Sequence, residues 1–319
     1  MKNAFPPVMV AAGWALAASL CFSINDSLIK FLAGNYALHQ VVFTRSIVGV
    51  ALLCLIVIPL SGGFSQIKTN RPGAHLFRAG LVVLANVFFY MALADMGLAE
   101  VVGIFFVAPF LITIFSVVFL GETVGPWRWF AIFFGFLGVM LILRPGTEAF
   151  RLVSLLPILA ASCYAGLHIM TRQMRDSETI MALTFSPPLV FALSSGMVGL
   201  VLGTGAFEGS SNASLAFLTR AWVWPTPGDL MIMVFIGFGV TFGGYAIAQA
   251  YIRAEAALVA PFEYTGLIYA AFFGYLYFGE WPDTLSWFGM AIVMGSGLFM
   301  IWREAVNSRV RRGPPNAPR

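Results

Sequence analysis

Charged side chains are scarce in this chain. Only 10% of its 319 residues are charged, 60% are hydrophobic, and the mean hydropathy is +0.88. Soluble globular domains carry about 25% charged residues. A soluble chain of this length has no means of burying so much apolar surface, so the composition indicates an integral membrane protein. The apolar runs reach about 20 residues without period-2 alternation, which predicts spanning helices rather than a β-barrel.

Cysteine and histidine are also rare, with three of each. Cys21, Cys54 and Cys163 lie within apolar stretches, which is typical of small core residues rather than of disulfides or metal ligands. The histidines are far apart in sequence, so we expect neither a metal site nor a cofactor. The net charge of +4 is not arranged as a basic stripe, so no nucleic-acid partner is expected.

Motifs for covalent chemistry and for ATP hydrolysis are missing. The sequence contains no H-E-x-x-H, no G-x-S-x-G and no Walker motif. Their absence argues against an enzyme, including a membrane-embedded enzyme acting on a lipid, and against a pump driven by ATP. A channel is a further alternative, although no filter-like loop or charged ring is evident.

Polar and turn-forming segments divide the apolar sequence into ten predicted spans. Their approximate ranges are 8–28, 41–60, 76–95, 101–120, 127–143, 152–172, 180–202, 230–251, 258–278 and 285–302. The longest break, 203–229, is predicted to be a surface excursion with interfacial tryptophans.

Basic residues predict the orientation of these spans. With a cytoplasmic N-terminus, 13 of the Lys and Arg residues fall on the inner side and five on the outer side. The positive-inside rule therefore predicts that both termini of this multi-pass protein are cytoplasmic. A cleaved signal peptide over residues 1–20 is the alternative, but its removal would leave nine spans and spoil the charge balance.

The chain resembles itself at two offsets. A shift of 158 residues places Gly121-Glu122 on Gly279-Glu280, and a shift of 142 places Lys30 on Arg172. These matches divide the chain into residues 1–146, residues 147–304 and a basic tail, 305–319, that we expect to be disordered and cytoplasmic. Each of the two repeats holds five spans. An odd number of spans gives the copies opposite orientations, and inverted repeats are suited to alternating access around a shared site.

The sequence resembles the drug/metabolite transporter superfamily, and specifically its EamA branch of ten-span bacterial proteins, which implies a location in a bacterial inner membrane. The resemblance is carried by Pro109 with the following Gly121-Glu122, by the second copy at Gly279-Glu280, and by the aromatic helices that follow each copy. It implies helices from both halves around a central cavity and transport of small metabolites without ATP. The stretch FSINDSLIK resembles members that take up riboflavin or S-adenosylmethionine, while other members export amino acids. The second copy has Leu267 in place of Pro109, so the ninth span is expected to kink differently.

Polar residues within the first two spans are candidate site residues. Asn25 is expected to bind solute, and Asp26 either pairs with Lys30, four residues on, or serves as a gating or proton-responsive group. Arg45 cannot lose its proton, so it needs water, a route to the interface, Asp26, or an anionic group of the solute.

Later spans supply further candidates. Glu263 is predicted to be a proton-coupling carboxylate or cation ligand, with an ion pair to Arg253 as the alternative. His168 is predicted to contact solute or to make an ordinary interhelical hydrogen bond. The remaining solute-binding candidates are Asn86 and Tyr90 on the third span, Tyr245 and Gln249 on the eighth, and Tyr264 on the ninth. The expected partners are a small-molecule solute and the lipid bilayer, and the sequence leaves monomer and homodimer open.

Overall fold

A computed structural model describes residues 7–60, 62–148, 150–174, 177–254 and 256–312. The tail predicted to be disordered over 305–319 instead continues the last helix as far as Arg312, and residues 313–319 lie outside the described residues. The helices are α1 (Pro7–Leu32), α2 (Leu38–Leu60), α3 (Pro72–Leu93), α4 (Leu98–Leu120), α5 (Pro126–Leu143), α6 (Leu152–Met174), α7 (Ile180–Leu202), α8 (Pro227–Arg253), α9 (Ala256–Glu263 and Thr265–Phe278) and α10 (Thr284–Arg312). Among the described residues, nine helices, all except α9, are long and apolar enough to cross a membrane. The prediction of an all-α membrane protein is confirmed.

Local chemistry sets the helix ends. Proline begins α3, α5 and α8. It is tolerated there because an N–H in the first turn of a helix has no carbonyl partner within that helix. The second piece of α9 ends at Gly279 and α4 ends at Gly121, and both glycines adopt a left-handed φ of +67°. Left-handed backbone favours glycine because it has no Cβ, so each Gly-Glu motif marks a helix end.

Helices α4 and α9 break at matching positions. The α4 helix is interrupted at Phe106 and Val107, and α9 is interrupted at Tyr264. The ninth span was expected to kink differently because it lacks a counterpart of Pro109. The two helices nevertheless break at equivalent positions. The hydroxyl of Ser19 on α1 lies 3.3 Å from the carbonyl oxygen of Phe262 and donates to it. The hydroxyl of Thr265 bonds the same carbonyl at 2.6 Å, so side chains satisfy the backbone that the break frees.

The packing of the helices follows a regular scheme. Helix α1 packs along α8, α6 packs along α3, α2 packs along α7, and α5 packs along α10. A Cβ added at Gly138 of α5 would lie 2.7 Å from the carbonyl oxygen of Gly289 on α10, so these two helices approach at backbone contact. Small residues at crossings permit such approach between membrane helices.

The long connection between α7 and α8 is partly packed rather than wholly a surface excursion. It contains a short helix, Ala213–Thr219. Trp222 stacks on His39, with 6.0 Å between ring centroids, and also contacts Phe43. Trp224 is 99% exposed, as expected for an interfacial tryptophan.

Candidate functional site

Five predicted site residues from three helices form one polar cluster. Asn25 and Asp26 come from α1, Arg45 comes from α2, and Asn86 and Tyr90 come from α3. Asn86 and Tyr90 are four residues apart and therefore lie on one face of α3. We call these five residues the polar cluster.

The guanidinium of Arg45 connects α2 to α3. Its Nη1 donates to Tyr90 Oη at 3.0 Å, and its Nη2 donates to Asn86 Oδ1 at 2.9 Å. The carbon atom Cζ also lies 5.1 Å from the ring centroid of Tyr90 and 5.4 Å from that of Phe191. Arg45 is only 6% exposed, so these contacts, rather than a route to the membrane interface, accommodate its charge.

The phenol of Tyr90 joins the two sides of the cluster. Its oxygen accepts from Arg45 and, at 3.2 Å, from Asn25 Nδ2, and it donates to Asp26 Oδ1 at 3.3 Å. Asn25 Nδ2 also lies 3.1 Å from Asp26 Oδ1. Asn25 Oδ1 is buried and has no hydrogen-bond partner among the described residues. The cluster thus combines a cation, a carboxylate and an unmatched acceptor, which is chemistry suited to holding a polar solute.

The interpretation of Asp26 and Lys30 as an ion pair is wrong. Lys30 Nζ lies 2.5 Å from Glu280 Oε1, in the turn between α9 and α10, and Asp26 instead contacts Asn25 and Tyr90. The four-residue spacing permits a pair on one helix, but the Lys30 side chain reaches a carboxylate on another segment, where it also bonds the carbonyl of Met96.

The candidates on α8 and the first piece of α9 make contacts outside the polar cluster. Tyr251 donates to the carboxylate of Glu263. Arg253, the alternative ion-pair partner for Glu263, instead bonds Gln249. Tyr245 is 54% exposed and packs edge-on against Trp14, with 5.8 Å between ring centroids.

The two remaining candidates belong to an aromatic layer. His168 packs edge-on against Tyr164, with centroids 4.5 Å apart. Tyr264 stacks on Phe106 at 4.8 Å, so the breaks of α4 and α9 meet face to face. Within the part of the chain that the structure describes, the buried Tyr264 hydroxyl has no hydrogen-bond partner.

Two long-range ion pairs were not predicted from the sequence. Lys30 pairs with Glu280, and Arg172 pairs with Glu122. The available signal was the repeat itself, because the 142-residue shift matches the two cations and the 158-residue shift matches the two carboxylates.

Comparison with known proteins identifies the family. The model of the EamA-like transporter family matches residues 9–144. A riboflavin transporter of Vibrio cholerae is 30% identical over 305 residues, which cover 94% of this chain and 95% of that relative. The chain belongs to the EamA-like transporter family. It is accordingly a multi-pass inner-membrane transporter of the drug/metabolite transporter superfamily and not an enzyme, and the resemblance noted from the sequence is confirmed.

Other relatives are named for different solutes. A riboflavin transporter of Rhizobium johnstonii is 27% identical over 301 residues, covering 94% of both chains. An S-adenosylmethionine uptake transporter of Rickettsia bellii is 25% identical over 304 residues, covering 95% of this chain and 97% of the relative. One solved structure shares the fold with a TM-score of 0.60 at 17% identity, covering 92% of this chain and 96% of its own.

Proposed function

We propose that the protein is a secondary transporter that moves a small polar metabolite across the inner membrane by alternating access, with the polar cluster as part of its solute site. The observation that carries this proposal is one hydrogen-bonded network that joins the buried Arg45 guanidinium, the half-buried Asp26 carboxylate and the unmatched amide oxygen of buried Asn25. Ionisable groups at membrane depth are costly and typically mark solute or ion pathways.

The surroundings of Arg45 favour a flat solute with polar edges. Its guanidinium lies beside the rings of Tyr90 and Phe191, and further aromatic contacts join Tyr90 to Phe89 and Phe89 to Phe105. Rings and hydrogen-bonding groups together suit a heteroaromatic metabolite. The names of the relatives make riboflavin the first solute to test and S-adenosylmethionine the second.

The proposed architecture is ten spans in two inverted repeats, residues 1–146 and 147–304, with both termini cytoplasmic. Three observations support it. The packing of α1 on α8 corresponds to that of α6 on α3, the matching breaks stack through Phe106 and Tyr264, and these two residues are themselves related by the 158-residue shift. Contact between equivalent residues is expected on the pseudo-two-fold axis of an inverted repeat.

Solute counterflow in proteoliposomes is the decisive experiment. Vesicles loaded with unlabelled riboflavin should accumulate labelled riboflavin from outside, and empty vesicles should not. S-adenosylmethionine and amino acids are tested in the same format. Conductance or leak without trans-stimulation would indicate a channel, and absence of counterflow with every solute tested would refute the proposed transport activity.

Asp26 and Glu263 are proposed as gating or proton-coupling groups. Accumulation driven by a pH gradient should be lost in Asp26→Asn or in Glu263→Gln, whichever replaces the coupling carboxylate, because an amide neither binds nor releases a proton. Counterflow without a pH gradient separates a coupling defect from loss of binding. Normal gradient-driven accumulation by both variants would eliminate both carboxylates as coupling groups.

A further inference from the structure

Two ion pairs join the proposed repeats at opposite ends of the helix bundle. At the outer end, Lys30 Nζ of α1 lies 2.5 and 2.7 Å from the two carboxylate oxygens of Glu280, which follows α9. At the inner end, the Arg172 guanidinium of α6 contacts the carboxylate of Glu122, which follows α4. We call these the outer clasp and the inner clasp.

The clasps occupy equivalent positions in the two repeats. Lys30 and Arg172 are related by the 142-residue shift, and Glu122 and Glu280 are related by the 158-residue shift. The first repeat supplies the cation at the outer end and the carboxylate at the inner end, whereas the second repeat supplies the opposite partners. Each clasp therefore bridges the two repeats.

The backbone holds both glutamates in the same way. Each follows a left-handed glycine, Gly121 or Gly279, with φ of +67°. The backbone N–H of the glutamate then bonds the carbonyl six residues earlier, at 3.3 Å to Ser116 and at 3.0 Å to Gly274. The same bond therefore follows a left-handed glycine in both repeats, and each carboxylate projects from a fixed helix end.

The two clasps differ in their contact with solvent. In the outer clasp the side chains of Lys30 and Glu280 are 10% and 34% exposed. In the inner clasp the side chains of Arg172 and Glu122 are 47% and 36% exposed. Exposed ion pairs are weakened by water and by salt, so the outer clasp is the stronger closure in this structure.

Additional bonds tie the outer clasp to the turn between α3 and α4. Lys30 Nζ donates to the carbonyl of Met96 at 2.6 Å and lies 5.1 Å from the ring centroid of Phe278. The N–H of Leu98 donates to Glu280 Oε2 at 3.1 Å, so a carboxylate of one repeat caps the first turn of α4 in the other. Opening the outer end by moving the repeats apart would break these bonds together.

We infer that the outer and inner clasps open in alternation at the two ends of the transport pathway, and that this structure, in which both ion pairs are formed, is the closed state between the two openings. This inference rests on the proposed function, because only alternating access requires opposite ends to open in turn. Weakening one clasp should populate the state in which that end is open and the other end is closed.

Hydrogen exchange of the purified full-length protein in nanodiscs, followed by mass spectrometry, tests the inference with matched variants. Glu280→Gln removes the carboxylate of the outer clasp, and Glu122→Gln makes the same change in the inner clasp. In Glu280→Gln, peptides over 94–100 and 278–284 should exchange faster while peptides over 118–124 and 168–174 exchange more slowly. In Glu122→Gln both changes should reverse. We expect exchange rates to change by about fivefold or more, which is the lower end of typical coupling between two sites.

Asp283→Asn is the control, because it removes an ion pair at the same outer end. Asp283 pairs with Arg144 where α5 and α10 are already in backbone contact through Gly138 and Gly289. In Asp283→Asn, faster hydrogen exchange should be confined to peptides at the start of α10. Faster exchange confined to the mutated end in both clasp variants, without slowing at the opposite end, would overturn the inference. Counterflow measured on the same variants separates the two proposals, because transport can persist when reciprocal exchange is absent.

Discussion

At the scale of single residues, charge in apolar sequence was the most informative signal. Asp26 and Arg45 were singled out because each is costly at membrane depth, and both belong to the polar cluster. Their partners were harder to predict. Tyr90 as the shared partner, and Glu280 as the partner of Lys30, depend on how separate helices meet. Sequence spacing constrains contacts within one helix and leaves those between helices undetermined.

The two hydrogen bonds of Arg45 predict that Arg45→Lys impairs solute binding. Lysine keeps the charge but lacks the planar fork that reaches Tyr90 and Asn86 together. Loss of one charge-assisted hydrogen bond, about 1.5–3 kcal/mol, should raise the half-saturating riboflavin concentration in counterflow about tenfold or more. Arg220→Lys is the control, because Arg220 bonds backbone carbonyls at the end of α1. Equal effects of both substitutions would contradict a special role for Arg45.

Asp283 combines an ion pair with a helix cap, and its substitutions should separate the two. Its Oδ1 accepts from the N–H of Ser286 at 2.8 Å, and its Oδ2 contacts Arg144. Asparagine retains an N-cap acceptor and alanine does not. The cap contributes about 1 kcal/mol, and the exposed ion pair contributes less. In thermal unfolding, Asp283→Ala should therefore be less stable than Asp283→Asn, and the reverse order would exclude the capping role.

The Arg144 guanidinium holds the pKa of the Asp283 carboxyl well below its usual range. A lowered folded-state pKa stabilises the protein at pH values above the unfolded value of about 3.9, and this contribution disappears as pH falls through the folded value. The stability difference between the wild type and Asp283→Asn should therefore stay constant from pH 8 to about 5 and shrink below about 4. A difference that already changes between pH 7 and 5 would assign the effect to another group.

At the scale of helices, hydrophobic runs and turn residues predicted most elements to within a few residues. The structure adds interruptions that those patterns predict poorly. The break in α9 occurs without a counterpart of Pro109, because hydroxyls of Ser19 and Thr265 bond the freed carbonyl. Such stabilisation comes partly from a neighbouring helix, so composition within the span carries little information about it.

In α7, a side chain from another helix replaces the backbone hydrogen bond that Pro187 cannot make. A double-mutant cycle should reveal this replacement. Proline has no N–H for the carbonyl of Leu183, and Arg78 Nη1 donates to that carbonyl at 2.9 Å instead. Arg78→Met should lower the melting temperature less in a Pro187→Ala background, where alanine supplies the missing N–H. We expect an interaction free energy of about 0.5–3 kcal/mol between the two substitutions.

Pro188→Ala is the matched control for that cycle. Proline 188 deprives the carbonyl of Thr184, not that of Leu183, of its helical partner. Arg78→Met should therefore destabilise the Pro188→Ala protein as much as the wild type. Equal coupling with both prolines would indicate a general effect of straightening α7.

At the scale of the whole molecule, the fold and the family were predictable because composition and repeat are properties of the entire chain. The 158-residue shift relates Gly121-Glu122 to Gly279-Glu280 and also relates Phe106 to Tyr264, which stack at the meeting point of the two breaks. The solute and the coupling ion were not predictable at this scale. In the proposed transporter they depend on a few atoms of the polar cluster, and relatives of similar identity are named for different solutes.

Ten crossings predict which turns share a membrane face. The contact of Lys30 with Glu280 brings the turn after α9 to the end of α1. Because α8 runs in the direction opposite to α1, this contact requires α9 to cross the membrane.

In a variant with Cys21, Cys54 and Cys163 replaced by alanine, a single cysteine at Asn35 or Trp281 should react with an impermeant maleimide added outside intact cells. A cysteine at Thr123, in the turn after α4, should react only after the membrane is permeabilised. If the cysteine at position 281 behaves like that at position 123, then α9 does not cross and neither the inverted repeat nor the pair of clasps survives. Labelling of both 35 and 281 from outside would instead place the outer clasp on the periplasmic face, where the count of basic residues predicts it.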